Sequence, residues 1–404
     1  MSSALKASCA GFDSENRFQN PLAPPPRPAR LAAMEPSPAP APAPALKETF
    51  NTARFEAMAM HLAEVHPGFD SRRFMRLALE GLEGLSLMQR LRRMTQCLHA
   101  TLPADYRQAI AILRQVAPKM GGGFATLVLP DFVGLYGLDD FIVSMEALRF
   151  FTSFGSSEFA VREFLRRDPR RTLAVMTQWS LDADEHVRRL ACEGCRPRLP
   201  WSFHLPVLAA DPSLAAPILE NLRADPSLYV RKSVANHLND ITKAHPDWVM
   251  DRLSAWPMDH KHTAWIAKRA LRTLIKKGDA RALALTGATG APHATLHHLR
   301  VEPKNPALGD RLTLTFELCS TSPAPQRLVV DYAIHYPKKS GTVSAKVFKL
   351  KEVALAAGAA VSLSRSQAIR DFTTRKHQAG RHEVDILVNG MVLGRDFFDL
   401  AVPS

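Results

Sequence analysis

Apolar residues recur three and four positions apart over most of residues 46–295, which is the spacing of amphipathic helices. Proline or glycine interrupts this spacing at three places: Pro67-Gly68, Leu102-Pro103 and Gly121–Gly123. The segment FATLVLPDFVGLYG at 124–137 is apolar almost throughout and fits either a strand or a short helix. The pattern therefore predicts a mainly α-helical region over residues 46–295.

A repeat follows within this helical region. Three segments, HVRRLACEGC (186–195), YVRKSVANHL (229–238) and WIAKRALRTL (265–274), begin 43 and 36 residues apart. Each follows a turn with an acidic residue, and another amphipathic segment precedes each turn. Paired helices at a period of about 40 residues are typical of HEAT repeats, which stack into a curved solenoid with a concave surface. We therefore predict a HEAT-like α-helical solenoid.

Near residue 295 the hydrophobic pattern changes from helical spacing to short β-rich runs. Seven such runs follow, separated by turns that contain proline, glycine or asparagine. Seven strands in about 105 residues predict an all-β immunoglobulin-like sandwich over 296–404. Cys319 is the sole cysteine of this range, so no disulfide can join the two sheets.

The first 45 residues are rich in proline and alanine and cannot build a core. We predict a disordered segment at 1–45, a repeat domain at 46–295 and a sandwich domain at 296–404. Met34 stays open as an alternative to Met1 as the first residue.

The chain carries a formal charge of +13 over 404 residues, and both predicted folded domains are basic. This charge favours a polyanionic partner, either nucleic acid or an acidic membrane face. No run of about 18 apolar residues and no secretion signal is present in the sequence, so we expect no membrane span. Five scattered cysteines indicate a reducing compartment, and we expect a cytoplasmic location.

One polar flank recurs on the three repeat helices when they are projected at about 100° per residue. Its members are His186, Arg189 and Glu193 on the first helix, Tyr229, Lys232, Asn236 and Asp240 on the second, and Trp265, Lys268, Arg272 and Lys276 on the third. Stacked repeats would lay these flanks side by side as one strip. Basic and aromatic residues together suit a nucleic-acid groove, and a solvated face with pairs such as Arg189–Glu193 is the alternative. Because carboxylates repel phosphate, their presence indicates positioning or chemistry on a cationic centre.

Other motifs add little. Cys192-x-x-Cys195 lacks a second ligand pair for zinc, and Gly121–Gly123 lacks the lysine and hydroxyl residue of a phosphate loop. We therefore expect no metal and no cofactor. Basic clusters at 340–351 and 373–382 of the sandwich are consistent with a second DNA contact or with ordinary surface charge.

Three segments resemble the AlkC family of bacterial DNA alkylation-repair glycosylases, a relative of AlkD in a HEAT-like superfamily. They are FTSFGSSEFAVREFL (151–165), EHVRRLACEGCRPRLPW (185–201) and VRKSVANHLNDITK (230–243). The resemblance extends from Leu46 through the immunoglobulin-like domain that one branch of the family carries. It implies a DNA N-glycosylase that excises cationic N-methylated bases, 3-methylcytosine and 1-methyladenine, with 3-methyladenine as a further candidate. The expected partner is alkylated double-stranded DNA near the nucleoid, bound by a monomer that does not flip the base.

The same resemblance implies that Glu158, Glu193 and Asp240 are the catalytic residues. It also implies that Arg196 holds a phosphate and that Trp201 contacts deoxyribose or the minor groove, with core packing as the alternative for Trp201. A carboxylate aimed at the sugar stabilises the cation that forms as the glycosidic bond stretches, and it can hold the attacking water. The basic strip adds further expected DNA contacts: Arg189, Lys232, Lys268, Arg272 and Lys276.

Glu158 is expected in the first turn of a helix that Ser156 or Ser157 caps, and helix stabilisation is the alternative role for its charge. Two alternative functions stay open. The chain could be an AlkD-like glycosylase for N3- and N7-alkylpurines, or a non-enzymatic HEAT scaffold that binds DNA or protein.

Overall fold

Helices fill the first part of the computed structural model, which describes residues 46–288, 290–372 and 376–402. Within these ranges the helices are α1 Thr52–Val65, α2 Ser71–Leu79, α3 Leu87–Thr101, α4 Tyr106–Val116, α5 Val128–Tyr136, α6 Phe141–Phe151, α7 Val161–Arg167, α8 Pro169–Trp179, α9 Glu185–Gly194, α10 Pro206–Ala210, α11 Ala216–Asn221, α12 Leu228–Ile241, α13 Pro246–Ser254, α14 Lys261–Ala270, α15 Arg272–Lys276 and α16 Ala280–Leu285. The predicted disordered segment 1–45 lies outside the described residues.

The ambiguous segment 124–137 is helical. A 3₁₀ turn at Phe124–Leu127 leads directly into α5. Its residues from Ala125 to Val133 are buried, apart from a half-buried Asp131, so no side of the helix shows a polar face. This burial explains why the sequence carried no readable period there.

The repeat helices stack in order along the solenoid. α9 packs on α12, and α12 packs on α14, so the three segments that carry the repeat are neighbours in space. Val187, Leu190 and Ala191 of α9 are at most 2% exposed, which confirms the inward stripe of this helix. The polar flanks are adjacent as well, since the rings of His186 and Tyr229 lie 5.6 Å apart.

Seven strands follow the helices. They are β1 Ala294–Glu302, β2 Arg311–Ser320, β3 Gln326–Pro337, β4 Val343–Leu355, β5 Ala360–Ala368, β6 Gly380–Val388 and β7 Met391–Leu400. Two antiparallel sheets, β1-β2-β5 and β4-β3-β6-β7, enclose a core that includes Leu314, Tyr332 and Phe398. Successive residues of β2 alternate between the core and the outer face. The predicted fold class, a HEAT-like solenoid followed by an immunoglobulin-like sandwich, is confirmed.

The sandwich packs on the last helices of the solenoid through an ion pair, a hydrogen bond and a close contact between two glycines. Lys268 of α14 forms an ion pair with Glu352 at 2.5 Å, and Lys276 Nζ donates to a backbone carbonyl of β4 at 2.9 Å. The turn between β6 and β7 lies so close to α15 that a Cβ at Gly390 would be 2.2 Å from Cα of Gly278. Two lysines expected to contact DNA are therefore held by the sandwich.

Candidate active site

The last turn of α9 is fixed by a close contact with α7. A Cβ at Gly194 would lie 2.5 Å from Cγ1 of Val161, so only glycine allows the two helices to approach this closely. Glu193 occupies this turn, and the loop that contains Arg196 and Trp201 begins immediately after it. The contact therefore sets the position of the residues on which the candidate site is built.

The guanidinium of Arg196 lies between two carboxylates from adjacent helices. Its Nη1 donates to Oε1 of Glu193 at 2.6 Å, and its Nε and Nη2 lie 2.9 and 2.8 Å from Oδ2 of Asp240. All three residues are only 6–7% exposed. Burial opposes the charge on Arg196, but Glu193 and Asp240 outweigh it and raise the pKa of the guanidinium. The structure thus places Arg196, the residue expected to hold a phosphate, between the two expected catalytic carboxylates.

Each of these carboxylates has one further donor. Ser233 Oγ donates to Oε2 of Glu193 at 2.6 Å, and Lys243 Nζ lies 3.4 Å from Oδ1 of Asp240. Ser233 is 2% exposed, whereas the side chain of Lys243 is 44% exposed. Glu193 is thus held by buried donors, and Asp240 has a donor whose side chain extends to solvent.

Glu158 joins the cluster through Arg189. The guanidinium of Arg189 forms an ion pair with Glu158 and lies 3.6 Å from Oε1 of Glu193. It also lies 4.8 Å from the centre of the Tyr229 ring, a cation–π geometry. Burial opposes the charge on Arg189, but Glu158 and Glu193 raise its pKa. Three carboxylates and two arginines therefore alternate along one chain of contacts.

The turn before α7 differs from our expectation. α7 begins at Val161, so Glu158 precedes this helix and does not lie in its first turn. Ser157 Oγ donates to the buried carbonyl of Leu148 at 2.8 Å, which prevents it from capping α7. Ser156 Oγ donates to Oε2 of Glu158 at 2.9 Å. The two serines therefore fix the turn, and Ser156 and Arg189 hold the Glu158 side chain.

Trp201 lies at the surface in a strained conformation. It is 68% exposed, and its φ of 65° is in the left-handed region that residues other than glycine rarely adopt. Its ring meets Phe124 edge-on, with centroids 6.3 Å apart. Core packing, the alternative role for Trp201, is therefore wrong. A strained and exposed aromatic residue is typical of a functional position.

A buried arginine braces the loop that carries Arg196 and Trp201. Arg162 is fully buried, and its Nη1 donates to the carbonyls of Gly194 and Arg196 at 2.9 and 2.7 Å. Its Nη2 donates to the carbonyl of Phe203, so both ends of the loop are tied to one side chain. Burial lowers the pKa of Arg162 to about 10. In the sequence Arg162 is one more basic residue on a helix, and no signal distinguishes it.

A cavity of about 430 Å³ lies beside Glu158. Aromatic rings from Phe124, Phe159, Trp201 and Tyr229 line it, together with polar groups near Glu158. These rings come from four separate segments of the chain, so an aromatic pocket could not be predicted from residue spacing. Glu193 and Asp240, the carboxylates joined by Arg196, are not among the lining residues.

Comparison with known proteins identifies the family. The family described as "DNA alkylation repair enzyme" matches residues 150–274, and the family described as "Uncharacterised protein YhaZ, C-terminal Ig-like domain" matches residues 295–402. The protein YhaZ of Bacillus subtilis, itself uncharacterised, is 43% identical over 358 residues, which cover 88% of this chain and 99% of YhaZ. A solved structure of Pseudomonas fluorescens alkylpurine DNA glycosylase AlkC, bound to DNA with an abasic site analog, is 55% identical. It covers 89% of this chain and 100% of its own, with a TM-score of 0.86.

This chain belongs to the AlkC family of DNA alkylation-repair glycosylases. The relatives match both the helical region and the sandwich, so the family covers the whole described architecture. Membership excludes the non-enzymatic scaffold that the sequence had left open.

The expected DNA-binding residues of this AlkC-family enzyme fall into three groups. Arg189 and Arg196 are paired with the candidate catalytic carboxylates. Lys232 is exposed on α12, and Arg272 donates to Asn236 of the same helix at 3.2 Å. Burial, followed by the charge of Arg269, lowers the pKa of Arg272. The remaining two, Lys268 and Lys276, contact the sandwich rather than lying free along the strip.

The cysteines near the AlkC-family site are buried behind it. Cys192 and Cys195 are fully buried, and both sulfurs lie within 4 Å of Nδ1 of His237. Burial raises the pKa of Cys192 to about 12 and lowers that of His237 to about 3, so both groups are neutral.

Among the described residues, no group of three or more histidine, cysteine or acidic side chains has metal-binding geometry. No helix in the described ranges is long and apolar enough to span a membrane.

Proposed function

We propose that the chain hydrolyses the N-glycosidic bond of cationic N-methylated bases in double-stranded DNA, acting as a monomer. The proposed substrates are 3-methylcytosine and 1-methyladenine, with 3-methyladenine as a further candidate. The observation that carries the proposal is the pair of nearly buried carboxylates, Glu193 and Asp240, joined by the single guanidinium of Arg196. As ionised groups these three side chains carry one net negative charge, which suits a cationic reaction centre.

The chemistry follows from that charge. The bond between C1′ and the base nitrogen breaks, and its electron pair neutralises the positive ring, so the base needs no strong acid to leave. The sugar becomes oxocarbenium-like, and the carboxylates of Glu193 and Asp240 stabilise it in a site with little water. A water attacks C1′, and one carboxylate accepts its proton. Arg196 positions the two carboxylates and prevents their mutual repulsion from spreading them apart.

We propose that the base stays in the duplex until its bond breaks. Glu193 and Asp240 lie on the adjacent helices α9 and α12 and would act on the sugar from the backbone side. Trp201, Lys232 and Arg272 would hold the strand, with Trp201 against deoxyribose or in the minor groove. Selectivity would then rest on the lability of the cationic lesion and on the ease with which damaged DNA deforms.

The sandwich supplies the proposed second DNA contact. The hairpin between β3 and β4 carries the exposed Lys338, Lys339 and Lys346, and β4 contacts the end of the solenoid through Lys276. A basic hairpin at the end of the solenoid would extend the positive surface along a bound duplex. The second cluster of basic residues, at 373–382, includes positions 373–375 outside the described residues.

A second candidate is a preference for N3- and N7-alkylpurines. The observation in its favour is that the Pseudomonas fluorescens neighbour is an alkylpurine DNA glycosylase. Mass spectrometry of the bases released from methylated duplex DNA separates the two. Release of 3-methylcytosine and 1-methyladenine supports the first proposal, and release of 7-methylguanine and 3-methyladenine without those two bases supports the second. The Glu193→Gln variant is the control for spontaneous loss of labile bases.

A further inference from the structure

The aromatic cavity beside Glu158 has no part in the sugar chemistry described above. Its volume of about 430 Å³ is within the range of roughly 300–1,000 Å³ typical of small-molecule sites. Its lining includes the aromatic side chains of Phe124, Phe159, Trp201 and Tyr229. Such walls suit a flat heterocycle, because any nucleobase gains free energy by stacking on an aromatic side chain.

Polar groups at one side of the cavity select the chemistry of its ligand. Arg189 and Ser156 hold Oε2 of Glu158, which leaves Oε1 to accept a hydrogen bond from a ligand N–H. Glu158 is the one carboxylate among the lining residues. It would repel a phosphate and attract a ring with N–H donors. The cavity therefore fits a free base better than a nucleotide.

Trp201 provides a second and independent observation. Its left-handed backbone costs conformational free energy, and its exposure of 68% leaves apolar surface in water. The edge-on contact with Phe124 is its one ring contact among the described residues. Arg162 ties down both ends of the loop in which Trp201 has this conformation. The exposed Trp201 side chain forms part of the cavity lining.

We propose that this cavity receives the methylated base once its glycosidic bond has broken, an inference that rests on the proposed function. Cleavage leaves the bonding electron pair on the base nitrogen, so the freed base is neutral and keeps its N–H donors. Arg189 contacts both Glu158 and Glu193, so the cavity adjoins the carboxylate that faces the sugar. The released base would pass from the stack into the cavity and dissociate from there.

The test is a calorimetric titration of the full chain, without DNA, with free 3-methyladenine. The expected result is saturable binding of one base per chain, weakened about tenfold or more by Phe124→Leu, which removes a ring but keeps an apolar side chain. Phe141→Leu is the matched control, because Phe141 is also half-buried but packs on Phe164 and is not part of the cavity lining. This variant should bind the base with wild-type affinity. Absence of saturable binding, or equal affinity in the Phe124 variant, would overturn the proposal.

Two additions keep the test decisive. Phe159→Leu removes another ring of the lining and should weaken binding in the same direction, so the result does not depend on one variant folding. Glu193→Gln should bind the base with wild-type affinity although it is expected to be inactive. Because the titration needs no catalysis, a chain that binds the base but releases none from DNA contradicts the proposed function. A chain that releases bases but binds none contradicts the cavity.

Discussion

Arg196 approaches a single oxygen of Asp240 with two of its nitrogens, Nε at 2.9 Å and Nη2 at 2.8 Å. Its third nitrogen, Nη1, donates to Glu193 at 2.6 Å; Glu193 lies 3 residues before Arg196 in the sequence, and Asp240 lies 44 residues after it. The two acids therefore come from different helices and are held by one planar group. Arginine suits this position because its fork carries several donors in fixed directions and stays charged when buried.

Neutralising either acid should abolish most of the excision activity. We expect Glu193→Gln and Asp240→Asn each to slow single-turnover release of a methylated base by about 10²–10³-fold, the usual effect of removing one electrostatic stabiliser. Their affinity for duplex DNA should change little, because neither acid contacts phosphate. Asp247→Asn is a matched control, since the side chain of Asp247 is 76% exposed and pairs with Arg281. Normal excision by both active-site variants would rule out these carboxylates as the catalytic groups.

Replacing Arg196 should affect both stability and rate. Arg196→Met leaves two nearly buried carboxylates without their shared partner, and we expect a loss of about 3–5 kcal/mol in the free energy of unfolding. Arg196→Lys keeps the charge but has no fork to span both acids, so it should recover stability in part while excision stays slow. Urea denaturation and single-turnover kinetics measure the two effects. A lysine variant with full activity would show that charge alone suffices.

The periodicity of the sequence predicted which sides of the repeat helices meet. Tyr229 does lie beside His186, and Arg272 does reach Asn236 on the neighbouring helix at 3.2 Å. Angular position on a helix follows from residue spacing, so these contacts were accessible from sequence. The burial of a residue does not follow from spacing: Arg196, which is expected to contact a phosphate, is only 7% exposed.

The features that could not be predicted from sequence arise from contacts between segments that are far apart along the chain. Arg162 ties down a loop that begins 32 residues later, through backbone carbonyls that leave no trace in residue identity. Spacing predicts that Lys268 lies on the polar flank of its helix, but its partner Glu352 lies 84 residues away on the sandwich. Spacing indicates the direction of a side chain and says nothing about which element covers it.

Trp201 allows backbone strain and DNA contact to be separated. At a φ of 65°, glycine avoids a cost of roughly 1–2 kcal/mol that alanine keeps, so Trp201→Gly should be more stable than Trp201→Ala by about 1 kcal/mol. Both variants lose the ring and should weaken DNA binding to the same extent. Urea denaturation and fluorescence anisotropy with duplex DNA give the two quantities. Equal stability of the two variants would mean that the loop relaxes once the ring is gone.

His237 should make the fold sensitive to acid. Burial lowers its pKa to about 3 from an ordinary value of 6.5, so below pH 6.5 the unfolded chain binds a proton that the folded chain does not. Stability from this group is therefore complete above pH 6.5 and falls with pH by about 1.4 kcal/mol per unit until pH 3. Between pH 6.5 and pH 5 the loss should be about 2 kcal/mol. His237→Gln, which cannot take up the proton, should lose less stability over the same interval in urea denaturation, and equal slopes would contradict the assignment.

Exposed lysines and lysines that are paired within the protein should differ in their effect on DNA binding. Lys232, exposed on α12, and Lys338, exposed at the tip of the hairpin between β3 and β4, are free to neutralise phosphate. Each change to glutamine should weaken binding and reduce the slope of log affinity against log salt by about 0.9. Lys268→Gln is the control, because Lys268 is paired with Glu352 and should leave the slope unchanged while loosening the sandwich. A reduced slope for Lys268→Gln would show that DNA displaces Glu352 and that the strip of lysines acts as the sequence predicted.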